Sequence, residues 1–165
     1  MSAARQSFFT RSCYVDAMSE PNPPPGFGPL FRTSPFLETV GPLFYRRDPE
    51  RGLVIGLRIA EKHANARGIA HGGLLVTLAD IALGYQTAFG QDPPAGLITA
   101  NLTADFAGAA KIGDWVEAHV DVQKLGSRLA FANAFLVVDG ERIVRASAVF
   151  ARAAPLSSSD GQQDR

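Results

Sequence analysis

The sequence predicts an α+β domain in which an antiparallel sheet packs against one long helix. The first observation is the order of segments: two strand-like stretches, one helical stretch, then four strand-like stretches in succession. A parallel nucleotide-binding fold would need helices between the later strands, and none is predicted there. The second is the helical stretch itself, which is apolar nearly all round and therefore belongs inside a fold. The third is size. At 165 residues and 46% hydrophobic content, the chain can bury one core without disulfide or metal staples.

Residues 1–38, with "EPNPPPGFGP", carry many prolines and little periodicity, and read as an N-terminal extension. The domain proper is expected over 39–153, and the polar tail 154–165 is expected to be disordered. "VGPLFYRRD" and "GLVIGLRIA" form a predicted hairpin, reversed by Asp48, Pro49 and Gly52. A polar loop, Glu61 to Ala70, leads into the helix. After "GQDPPAG" come strands at 97–106, 115–124, 128–138 and 142–152, separated by "KIGD", "KLGS" and "DGE". In the first of these, alternation puts Thr99, Asn101, Thr103 and Asp105 on a polar face, with Ile98, Ala100, Leu102, Ala104 and Phe106 on a buried one.

On a helical plot, Leu74, Leu78, Ile81 and Tyr85 share one face, and Val76, Ala79 and Leu83 lie opposite. The remaining strip holds Thr77, Asp80, Gly84 and Thr87, whose small members leave room beside the carboxylate. An ionised carboxylate is costly to bury alone, so Asp80 must be hydrogen-bonded, shifted in pKa, or facing a cavity. The last two conditions describe a general base or nucleophile; an exposed or structurally paired carboxylate is the alternative. "HGG" at 71–73 opens the helix, where backbone N–H groups lack partners and the dipole is positive. Two glycines let a ligand oxygen approach those amides, as an oxyanion site requires, although HGG read alone is an ordinary helix-entry turn.

Sixteen basic and sixteen acidic residues balance, which predicts no nucleic-acid partner and no anionic membrane surface. No apolar run approaches the ~20 residues of a membrane span, and the N-terminus lacks a secretory apolar core. A single cysteine, Cys13, suits a reducing, cytoplasmic setting. His63, His71 and His119 are not at metal-ligand spacing, so no metal is expected. His63 is expected to be an exposed loop residue and His119 a structural one.

Asn65, His71-Gly72-Gly73 and Asp80, in this order and spacing, resemble the hotdog-fold acyl-CoA thioesterases of the PaaI-like branch of the 4-hydroxybenzoyl-CoA thioesterase superfamily. The likeness spans about residues 40–152. It implies a hotdog fold, a six-stranded antiparallel sheet wrapped around the central helix, and hydrolysis of an acyl-CoA thioester without a cofactor. By the resemblance, Gly72 and Asn65 polarise the thioester carbonyl, while His71 holds the loop or meets the leaving thiolate. Asp80 is then general base or nucleophile, and Thr99 assists the water. Gly73, Thr77 and Gly84 border the substrate. The turn with Lys124, Gly126, Ser127 and Arg128 corresponds to the nucleotide-side loop, and Arg67, Arg145 and Arg152 are further cations within reach of a phosphate. Asp80 in place of Glu argues against hydroxybenzoyl-type thioesters. The family's sites lie across a homodimer interface, with a dimer of dimers as the expected assembly. Two alternatives follow from the same fold: a non-catalytic acyl-CoA binder, and a dehydratase, whose HxxP-type signature this chain lacks.

Overall fold

The computed structural model describes residues 22–154. The first part of the predicted extension, with Cys13, and nearly all of the predicted disordered tail lie outside the described residues. Seven strands form one sheet: β1 (Gly28–Pro29), β2 (Leu43–Asp48), β3 (Gly52–Arg58), β4 (Gly96–Phe106), β5 (Trp115–Leu125), β6 (Leu129–Val138) and β7 (Glu141–Ala153). Their spatial order is β1-β2-β3-β5-β6-β7-β4, and every neighbouring pair is antiparallel. A short helix α1 (Pro35–Val40) precedes β2, and the long helix α2 (Gly72–Phe89) packs on the sheet. This is the hotdog arrangement, with seven strands where the sequence predicts six. The addition is β1, two residues of the proline-rich arm paired with Tyr45 and Phe44.

The hairpin forms where the turn chemistry directs it. The Asp48 carboxylate accepts the N–H groups of Glu50 (3.0 Å) and Arg51 (3.1 Å), and Gly52 takes the left-handed φ of +73° that closes the reversal. Arg46, donating to Asp48 at 2.8 Å, and those two amides hold this carboxyl below its usual range.

The strands that face the helix present small side chains, which lets its backbone approach the sheet. Ala118, Ala132, Ala134, Ala146 and Ala148 are all buried in one cluster with Leu75, Leu78 and Ala82 of α2. Alanine is a poor strand former on propensity alone, so this run is better explained by packing against a helix. The Gln86 side chain accepts the Leu53 N–H at 2.7 Å and fixes the helix against β3. Thr87 turns into the core rather than along the strip predicted for it beside Asp80, because the helix packs on more than one side. No helix among the described residues is long and apolar enough to cross a membrane.

Candidate active site

The entry to α2 is built by two histidines. His71 is the N-cap, and its Nδ1 accepts the Gly73 N–H at 2.9 Å, which leaves the neutral ring's proton on Nε2. A side chain at Gly73 would press on that ring, since a Cβ there would lie 3.0 Å from Nδ1. With Gly73 satisfied, the Gly72 N–H has no partner among the described residues and is left as a donor at the positive end of the helix.

His63 supports this entry from below and is 4% exposed, not an open loop residue. Its Nδ1 accepts the Ala60 N–H (2.9 Å), its Nε2 donates to the Val40 carbonyl (2.8 Å), and its own carbonyl accepts the His71 N–H (2.9 Å). Burial pulls its pKa below the ordinary 6.5 and keeps the ring neutral. Asn65 occupies the turn between them. Its backbone carbonyl accepts Gly68 N–H at 2.9 Å and its Oδ1 accepts Arg67 N–H at 2.8 Å, so only the side-chain NH₂ remains to donate. Bridges between Ala64 and Ala70, and between Ile69 and Lys111, pin the loop to the domain.

Two turns along the helix, Asp80 is half-buried, and its Oδ1 accepts a 3.0 Å hydrogen bond from Thr99 Oγ1. Simple alternation in β4 predicts Thr99 on the polar face. A bulge reverses that: Thr99 pairs with Phe150 but Asn101 pairs with Val149, so Ala100 is an extra residue. Before the bulge Thr99 shares the helix-facing side with Phe150, and Ile98 is thrown outward to 63% exposure. Beyond it Leu102 and Ala104 take over the inner face opposite Ala148 and Ala146.

A groove of about 240 Å³ starts at the Asp80–Thr99 pair and runs toward the C-terminal end of α2. Gly84 and Ala88, one and two turns beyond Asp80, keep its floor low. Tyr85 and Phe89 close the helix side, and Leu97 and Phe150 the sheet side. The Asp80-Gly84-Ala88 spacing is legible in the sequence, whereas Phe150 reaches the groove only through the long-range β4–β7 pairing. Burial raises the pKa of the Tyr85 phenol.

The other predicted residues fall in several places. Thr77 donates back to the Gly73 carbonyl at 2.9 Å within the helix. Lys124 stands near the end of β5 and Gly126, Ser127 and Arg128 form the β5–β6 turn; both cations are exposed without a carboxylate partner among the described residues. The Gly126 N–H bonds to the Leu129 carbonyl at 2.9 Å, in a turn so tight that a Cβ would meet that oxygen. Arg152 donates to the Gly126 carbonyl (3.3 Å), Arg145 pairs with Asp105 (3.0 Å), and Arg67 is exposed. His119 lies on the outer sheet face, its Nε2 3.1 Å from Glu117 Oε2. That contact, with Trp115 and Arg46 beside it, holds the Glu117 carboxyl below its usual range.

Residues 67–144 match the family described as Thioesterase superfamily. A Pseudomonas aeruginosa protein named "Putative esterase PA0474" is 56% identical over 130 residues, 78% of this chain and 96% of the relative. The chain belongs to the thioesterase superfamily. It is a thioester hydrolase. Mouse acyl-coenzyme A thioesterase 13 is 30% identical over 85 residues, 52% of this chain and 59% of the mouse protein. Among solved structures, a single-residue mutant of the phenylacetic acid degradation protein PaaI from Thermus thermophilus is 26% identical, with a TM-score of 0.61. That likeness covers 73% of this chain and 100% of the other.

Proposed function

We propose that this superfamily member hydrolyses acyl-CoA thioesters of aryl-acetyl or medium-chain acyl groups, at sites assembled from two subunits. The observation that carries the reading is the Asp80–Thr99 pair at the mouth of an apolar groove. Thr99 occupies one carboxylate oxygen and leaves the other free to take a proton from water. The acyl group lies in the groove, and the thioester carbonyl sits at its mouth.

The oxyanion needs donors aimed at the same carbonyl. The Gly72 N–H and the Asn65 NH₂ are suitable donors, but Gly72 is eight residues from Asp80 along one helix. At 1.5 Å per residue that is about 12 Å, too far for both to meet one carbonyl carbon and its oxygen. A second copy resolves the separation by bringing Gly72 and Asn65 of the partner subunit to the mouth of this groove. The β4 edge supports such pairing, since it ends the sheet and carries Ile98 and Phe106 exposed. In this arrangement water attacks the carbonyl carbon as Asp80 takes its proton. The oxyanion is held at the partner's helix N-terminus, and the C–S bond then breaks to release CoA as the thiol. Lys124 and Arg128, on either side of the turn at Gly126 and Ser127, meet CoA phosphates as point charge and fork.

Thiol release from phenylacetyl-, hexanoyl- and lauroyl-CoA tests the reading. Asp80→Asn should lower kcat by ~10² to 10⁴, the range for a positioned acid or base. Near-wild-type turnover by that variant would remove Asp80 from the chemistry. Single-turnover hydrolysis in heavy-oxygen water tests the nucleophile role of the carboxylate: label appearing in Asp80 itself marks a nucleophile whose anhydride is opened at the Asp80 carbonyl.

A further inference from the structure

We infer that Phe31, in the N-terminal arm, fixes the length of acyl group the enzyme accepts, an inference that rests on the groove beside Asp80 being the acyl site. The arm is not a loose extension where it passes α2. Gly28 and Pro29 pair with β2, and the Leu30 N–H bonds to the Leu43 carbonyl at 3.0 Å. The next residue is delivered onto the far end of the groove. The Phe31 ring stands edge-on to Phe89, centroids 5.1 Å apart at 89°, and edge-on to Tyr45 at 5.1 Å and 73°. It also packs against Tyr85 at 5.6 Å.

Tyr85 and Phe89 are the two aromatic residues that line the helix side of the groove's end. Both are held a second time by the arm. The Tyr85 hydroxyl donates to the Arg32 carbonyl at 3.4 Å, and the Arg32 guanidinium lies 5.7 Å from the Phe89 ring centroid. Each ring sits one turn from the other, so a single wedge restrains both. Phe31 itself is 39% exposed, which is more than a ring placed only for core burial would show. Its position makes sense as a brace. With it in place the rings cannot swing outward, and the groove ends about 12 Å from Asp80, near Ala88, by the helix rise. Without it the end opens toward solvent. Phe31 touches the wall and not the groove, so it is a positioning residue that acts through Tyr85 and Phe89.

The experiment is a kcat/KM series over straight-chain acyl-CoA esters from butanoyl to palmitoyl, for the full-length wild type, Phe31→Ala and Phe31→Leu. For the wild type, each methylene buried in the groove should raise kcat/KM about fourfold until the end wall is reached, after which the profile falls. Phe31→Ala should move that ceiling to longer esters by two or more carbons and leave butanoyl-CoA turnover within about twofold. Phe31→Leu, which keeps an apolar side chain against both rings, should shift it less. A ceiling at the same chain length in both variants, with short-chain turnover intact, overturns the inference and leaves the thioesterase reading standing. If Phe31→Ala does not fold, Phe31→Leu and Arg32→Ala decide, and an unmoved ceiling in both overturns it. A wild type that cleaves no CoA ester of the series, nor an aryl-acetyl one, would instead refute the reading of the site itself.

Discussion

Gly72→Pro isolates the oxyanion donor with little disturbance of the fold. Proline has no N–H, so the substitution deletes the one helix-entry amide that has no partner among the described residues. The position tolerates it. Gly72 is the first helical residue, where proline is favoured, and His71 before it has φ −65° and ψ 134°, the extended conformation that a residue preceding proline adopts. Added atoms have room as well, because a Cβ on Gly72 would stand 3.4 Å from the tip of the Phe106 ring, an ordinary contact. Loss of one oxyanion donor costs about 2.7 to 4 kcal/mol, so kcat should fall by ~10² to 10³ with KM changed far less. Gly72→Ala is the control: it adds the Cβ but keeps the N–H, and should retain turnover within a few-fold. The assay is steady-state thiol release on the best ester of the panel, with melting curves to verify folding. A folded Gly72→Pro enzyme with wild-type kcat would refute the assignment of this amide to the oxyanion.

Two further outcomes follow from the neighbouring residues. Thr99→Val should reduce kcat about tenfold, the lower end for a hydrogen bond to a carboxylate because the pair is partly open to water, whereas Thr99→Ser should restore most of it. The stability of the fold should decline as the pH drops through and below 6.5: His63 is held neutral in the folded state with its pKa below that value, so the unfolded chain binds the extra proton first. Thermal melting between pH 7.5 and 5 should show this loss, and His63→Gln should flatten that part of the profile.

Much of the site can be read from the sequence because its parts lie on one continuous segment. The histidine cap, the two glycines and Asp80 are placed along one helix by its geometry alone, so their spacing in the chain sets the separation that a second subunit must bridge. Thr99 escapes such a reading for the opposite reason. Its direction depends on the extra residue at Ala100, and a bulge in β4 is set by pairing with β7, not by the alternation within β4. The arm is equally opaque. "GPLFR" has no periodicity, and its structure comes from the β2 edge it pairs with and from the aromatic side chains on α2. In the sequence His63 resembles any loop histidine, and only the fold brings three chain segments together on its ring and carbonyl. Local pattern locates the chemistry, and long-range pairing decides what surrounds it.

In the proposed mechanism each site takes its carboxylate from one subunit and its oxyanion donors from the other. Subunit complementation tests this directly. Asp80→Asn and Gly72→Pro are each purified, confirmed as nearly inactive, then mixed under conditions that exchange subunits. In a symmetric dimer with shared sites, every mixed dimer regains one fully wild-type site of its two, and a random mixture should recover about a quarter of wild-type activity. Activity that never rises above that of the two parents, despite verified exchange, would mean that Asp80 and Gly72 of one subunit serve the same site, so that every site of a mixed dimer keeps one defect, and the two-subunit account would be wrong.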